Sequence, residues 1–198
     1  MNRHIDQALN QPPPSKPAKK GKIHPQKFAM WIAIGSIIMM FGGLTSGYIV
    51  RKSQGNWELL NLPSAFYTST VVILLSSLTL SLALRYFKQR KMALHNAMVS
   101  LTLVLGIAFA VLQYIGFKEL LGSMQWANNV SFQYLIVIVL VHALHILGGV
   151  VALLFLFLRS FNPKLKVYST TGHELVSTYW HFVDILWIYL FVFFLLNQ

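Results

Sequence analysis

Residues 176–196 read VSTYWHFVDILWIYLFVFFLL, an apolar run interrupted by the imidazole of His181 and the carboxylate of Asp184. About 20 mostly apolar residues cross the roughly 30 Å hydrocarbon core of a bilayer as a helix, so this stretch is long enough to span. A carboxylate facing lipid at mid-span is penalised by about 2.5 kcal/mol or more. His181 and Asp184 therefore turn toward protein, a headgroup or water, where such groups usually have a function.

Four further stretches satisfy the same criterion: 28–50, 65–87, 94–117 and 130–158. Backbone groups in lipid must be paired within the segment, and single spans of this length achieve that as helices, because barrel strands are about half as long and alternate in polarity. The expectation is an all-α integral membrane bundle of five transmembrane helices occupying residues 28–198. The fourth run is long enough to need tilt or an emergent end. Composition agrees: of 198 residues 56% are hydrophobic and 11% charged, with a mean hydropathy of +0.58, whereas soluble domains are about 25% charged.

The formal charge of +11 is distributed by loop rather than as a patch, which argues against nucleic acid as a partner. Thirteen of the sixteen basic residues lie before span one, between spans two and three, or between spans four and five; only Arg51, Lys52 and Lys118 lie on the other side. The positive-inside tendency then places the N-terminus in the cytoplasm and the C-terminus outside. Residues 1–27, with Pro12, Pro13 and Pro14 among lysines, lack an apolar period and read as a disordered basic cytoplasmic tail, either solvated or touching anionic headgroups. The first apolar run is too long for a cleaved signal peptide. Cysteine is absent, which removes disulfides, iron-sulfur clusters and thiolate copper sites.

Helices in lipid associate through small residues and interhelical hydrogen bonds. Ser36, Gly43 and Gly47 on span one, Gly106 and Ala110 followed by Gln113 on span three, and Gly149 and Ala152 beyond His142 and His145 on span four mark candidate seams. Span two offers the hydroxyls of Ser69, Ser76, Ser77 and Thr79. On the last span Glu174, Ser177, His181 and Asp184 advance by three, four and three positions and share one stripe. That stripe fits either a buried hydrogen-bond network or a proton- or lipid-linked role.

His142 and His145 are candidates for a metal or haem site. Lying three apart on one helix, they cannot ligate one haem from its two faces. A divalent ion could take both with help from Asp184 or Glu174, yet no further histidine or cysteine cluster completes a four-ligand set. At 1.5 Å rise per residue, His145 lies about 20 Å from the inner end of its helix and Asp184 about 15 Å along its own from Glu174, so Asp184 is the better-placed partner for His145 if the two helices are neighbours.

The ordered set of Phe109 and Gln113, His142-Ala143-Leu144-His145 with Gly148, Glu174, Trp180-His181-Phe182-Val183-Asp184 and Trp187 resembles subunit III of the haem-copper terminal oxidases. Met30-Trp31 and Met40-Phe41-Gly42-Gly43 match it in outline. The resemblance implies a non-catalytic accessory subunit in a bacterial plasma membrane. It would bind no redox cofactor itself, pack against a catalytic subunit I that holds haem and copper, assemble with subunit II, bind phospholipid and support proton uptake. On this reading Gln113, His142, His145, Glu174, His181 and Asp184 form a structural or lipid- and proton-linked polar seam. Three departures stand out. Ile37 follows Ser36 where relatives often carry an acid, Gly116 stands where many have a glutamate, and the chain resembles only the last five spans of the seven-span form. An accessory subunit of a nitric-oxide reductase, or an independent cytochrome b-like carrier using His95, His142, His145 and His181, are the rival readings.

Overall fold

The structure is a computed structural model and describes residues 25–54, 62–123, 130–161 and 170–197. Five helices follow in order: α1 (Pro25–Lys52), α2 (Ser64–Lys88), α3 (Met92–Ser123), α4 (Val130–Ser160) and α5 (Thr170–Leu196). Each contains a span long and apolar enough to cross a membrane. The all-α five-span bundle expected from sequence is therefore what the chain forms. Most of the expected basic tail, residues 1–24, lies outside the described residues. The helices run past the apolar spans at several ends because the added residues are polar or basic and can reach the headgroup zone. Lys27 opens α1 in this way, and Arg51, Lys52, Lys88 and Arg159 close α1, α2 and α4.

Helices α2 and α3 form the tightest pair, joined by a short turn. The amide of Arg90 donates to Phe87 O at 3.0 Å and that of Lys91 to Tyr86 O at 3.1 Å, a Schellman closure of α2. This closure puts Arg90 at φ 59°, a left-handed position usually given to glycine. Lys91 O then accepts the His95 amide and starts α3.

Helix α2 packs on α3 and α5, and α4 packs on the same two, so α2, α3, α4 and α5 close a ring. Helix α1 stands outside it and, among the described residues, packs against α4 and α5. The axle of the ring is Trp180, fully buried on α5. A Cβ built on Gly106 of α3 would meet Trp180 Cη2 at 2.9 Å, and one built on Gly149 of α4 would meet its Cε3 and Cζ3 at 3.0 Å. Only glycine lets both backbones approach the indole. The indole Nε1–H donates to Ser76 Oγ of α2 at 3.1 Å, so one side chain ties all four helices.

Gly116 of α3 serves Phe66 of α2 similarly, with a built Cβ meeting that ring at 2.8 Å. Any side chain there, a glutamate included, would displace Phe66. The seam expected on α1 is only partly formed. Gly47 meets Tyr134, but a Cβ on Gly43 would touch nothing within 4 Å, and the Ser36 hydroxyl returns to Ile32 O of its own helix. Helix α1 is held instead by aromatic contact. Tyr48 lies edge-on to Phe193 with centroids 5.2 Å apart, and the hydroxyls of Thr45 and Tyr189 meet at 2.8 Å.

Candidate functional site: the polar seam

The hydroxyls of α2 form a rail along the inside of the ring. Ser69 Oγ accepts from Gln113 Nε2 of α3 at 2.9 Å, and Thr79 meets Thr102 of α3 at 2.8 Å. Toward α5, Thr70 accepts from Trp187 Nε1 at 3.0 Å, and Ser77 Oγ lies 2.6 Å from His181 Nδ1. All four hydroxyls singled out in the sequence make cross-helix bonds, which is how polar groups join helices where no water competes.

The stripe on α5 divides by depth. Glu174 at the helix start is partly exposed and accepts from Lys27 Nζ at 2.7 Å. Ser177 is buried, and His181 is partly exposed between Ser77 and Ser81, whose Oγ lies 3.3 Å from Nε2. Asp184 is 3% exposed, and neither of its oxygens has a hydrogen-bond partner among the described residues. His181 Nδ1 stands 3.8 Å from Asp184 Oδ2. Serine, imidazole and carboxylate here do not form a nucleophilic relay. Ser77 and Asp184 both face Nδ1, whereas such a relay needs them on opposite ring nitrogens.

Lys27, Trp31, Glu174, Ser177, Thr178 and His181 line a cleft of about 320 Å3 where α1 stands away from α2. Lys27 of α1 and Glu174 of α5 bring a cation and a carboxylate to it, and Met30, Trp31 and Leu84 supply apolar surface. Lys27 reads in the sequence as part of the tail. Its role was nonetheless recoverable, because Lys27 and Glu174 each sit at the start of a span whose loop charges place it on the same side.

On α4, His142 is buried, stacked on Trp187 with centroids 5.2 Å apart and edge-on to Phe41 at 6.3 Å. His145 turns back on its own helix, Nδ1 donating to Val141 O at 2.7 Å, while its carbonyl accepts from Tyr179 Oη at 3.1 Å. The expected pairing of His145 with Asp184 does not form. Nδ1 of His145 is committed to its helix backbone, and Asp184 faces His181 and Ser77. Gln113 and His142 are brought together at one cavity between α3 and α4.

Sequence reading also passed over His173. It is buried, its ring 5.0 Å from that of His95 and 5.4 Å from that of Phe87, with both nitrogens unpartnered among the described residues. His95 Nδ1 donates to Ala83 O at 3.0 Å, so the pair fastens the α2–α3 turn to the start of α5. Among the described residues no group of three or more His, Cys, Asp and Glu is placed to hold a metal ion.

The family model described as cytochrome c oxidase subunit III matches residues 58–197, which contain the whole four-helix ring and its seam. The chain belongs to the cytochrome c oxidase subunit III family. Curated relatives agree. Probable cytochrome c oxidase subunit 3 of Nocardia farcinica is 30% identical over 86% of this chain and 90% of its own length. Cytochrome bo(3) ubiquinol oxidase subunit 3 of Buchnera aphidicola is 27% identical over 86% of this chain and 85% of its own. Probable quinol oxidase subunit 3 of Staphylococcus aureus is 26% identical over 83% and 85%. Membership in subunit III gives the polar seam its setting: a membrane subunit of an oxidoreductase complex, whose inward polar side chains join helices.

Proposed function

We propose that this chain is the accessory subunit of a respiratory haem-copper oxidase, itself non-catalytic, packed against a catalytic subunit I that carries haem and copper and assembled with subunit II. The observation that carries this reading is the family match over the entire ring, joined to a seam whose hydroxyls, indoles and amide are spent on cross-helix bonds. A cytochrome b-like carrier fits poorly. His142 and His145 lie three apart on one helix and cannot reach a haem from its two faces, and the relatives' names are those of oxidase subunits. The relatives' names concern cytochrome c and quinol oxidases, which favours oxygen over nitric oxide as the substrate of the complex.

The cleft at Lys27 and Glu174 suits a phospholipid headgroup, with Lys27 toward phosphate, Glu174 toward an ammonium, and the apolar wall of α1 and α2 along the acyl chains. The basic residues of the N-terminal stretch and of the two loops on that side favour a cytoplasmic N-terminus in a bacterial plasma membrane, with the C-terminus outside. Glu174, His181 and Asp184 then form a polar line from the cytoplasmic surface inward, suited to supporting proton uptake by the partner. The test is copurification in mild detergent, followed by haem analysis and oxygen uptake of the complex. Recovery with a haem- and copper-bearing partner that reduces oxygen is expected. A chain that purifies alone with its own Soret band would overturn the proposal. Asp184→Leu should lower lipid content and durability of turnover; unchanged assembly, lipid and turnover would remove Asp184 from the functional line.

A further inference from the structure

Arg85, Lys88, Arg90 and Lys91 crowd the turn that joins α2 to α3, and all four are exposed. Residues 85–91 contain no carboxylate, and no ion pair among the described residues involves any of the four cations. A basic loop satisfies the positive-inside tendency whatever its backbone does. This one has a particular backbone. Arg90 stands at φ 59°, the only non-glycine residue with positive φ among the described residues, in the region where an L side chain costs free energy and glycine is the usual choice. Strain of this kind gathers where a side chain is used. The turn is also fastened. The amides of Gln89, Arg90 and Lys91 donate back to the carbonyls of Arg85, Phe87 and Tyr86, and Phe87 packs on the rings of His95 and His173 with centroids 5.1 and 5.4 Å apart. The cations therefore project from a fixed frame, which lowers the entropy lost when they close on an anion.

The surface below the turn selects the occupant. On α2, Leu75, Leu78, Leu82 and Arg85 advance by three, four and three positions and share one stripe, and its leucines are exposed. On α3, Lys91, Leu94, Leu101 and Val104 share another, again with the apolar members exposed. Each stripe is an apolar track facing the bilayer that ends in a cation at the headgroup level. A free phosphate or an acidic protein would use the cations and leave the tracks, whereas a phospholipid uses both. A cluster with no carboxylate in it offers nothing to the ammonium of a zwitterionic headgroup, so charge complementarity favours a lipid whose phosphate is uncompensated. We infer that the α2–α3 turn binds an anionic phospholipid. Arg90 meets the phosphate with its guanidinium fork, Arg85 and Lys91 flank it, and the acyl chains lie along the two tracks. The site is distinct from the Lys27–Glu174 cleft and does not depend on the accessory role.

The test titrates the full chain in mild detergent with phosphatidylglycerol, or with phosphatidylcholine of the same acyl chains, and follows bound lipid by native mass spectrometry. The readout is the ratio of the two affinities. Expected is a preference of about tenfold or more for phosphatidylglycerol, shrinking as salt is added. Arg90→Gly keeps the left-handed turn and removes the guanidinium, so the ratio should fall about fivefold while the unfolding midpoint holds or rises, which separates lost binding from lost folding. Arg90→Lys keeps the charge in the same turn and should retain most of the ratio. Lys27→Gln in the other cleft and Arg51→Gln at the opposite end of α1 each remove one charge and should change the ratio less than about twofold. Deacylated glycerophosphoglycerol should not displace the lipid. Equal affinity for the two lipids, an Arg90→Gly ratio that does not move, or an equal loss in Arg51→Gln would overturn the inference. Displacement by the deacylated headgroup would make the turn a phosphate site, and loss of a copurifying protein with the lipid ratio intact would assign the cations to an acidic protein surface; either result also sinks the lipid site.

Discussion

Replacing Gly106 with alanine adds one methyl group at the point where α3 meets Trp180. The new carbon would stand 2.9 Å from Cη2 and 3.2 Å from Cζ2 of the indole, with Leu153 Cδ1 at 3.5 Å closing the other side. Carbon atoms rest at about 3.5–4.0 Å, so ring or helix must yield by roughly 0.6–1.1 Å. The indole has little room to retreat. Its far edge lies on Gly149, where a built Cβ would already be at 3.0 Å, and Nε1 is bonded to Ser76. Overpacking of this kind costs about 1–3 kcal/mol. The assay is reversible unfolding of the purified chain in mixed micelles, comparing Gly106→Ala, Trp180→Phe and the double variant. The shorter ring withdraws from the added methyl, so the double variant should be less destabilised than the sum of the two, by about 1 kcal/mol or more. Gly43→Ala is the control. Its Cβ would meet nothing within 4 Å, so it should be neutral or slightly stabilising through helix propensity. If Gly106→Ala and Gly43→Ala unfold alike, and the double variant is additive, the account of Trp180 as the axle of the ring is wrong.

Three further outcomes are expected. Ser76→Ala leaves the buried indole N–H of Trp180 without its acceptor and should lower stability by about 0.6–1.7 kcal/mol in the same unfolding assay, the range of interhelical bonds in membranes. Arg90→Gly places glycine at φ 59° and should raise the unfolding free energy by up to about 1 kcal/mol, with slower amide exchange in the α2–α3 turn. Exchanging the charges singly as Lys27→Glu or Glu174→Lys should lower lipid retained through purification, and the double exchange should restore it in part. The ion pair itself is worth at most about 1 kcal/mol because both side chains are partly exposed, so added salt should blunt the single effects.

The sequence alone determined the five spans, since hydrocarbon thickness and the need to pair backbone groups leave no other structure for such runs, and it marked the α2 hydroxyls and the α5 stripe by periodicity. It also carried the family, through residues spread in order along α3, α4 and α5. What it could not fix was which polar group meets which. Spacing along one helix gives a face and a depth but not the rotation of its neighbour, so His145 looked suited to Asp184 until the structure turned it onto Val141 O. The same limit hid the division of labour among glycines. Gly43 and Gly106 are alike in sequence, yet only Gly106 has an indole against it, because close approach is a property of two helices at once. The closed ring of α2, α3, α4 and α5, the placement of α1 outside it, and the unmet polar atoms of Gln113 and His142 were likewise decided only when the helices packed.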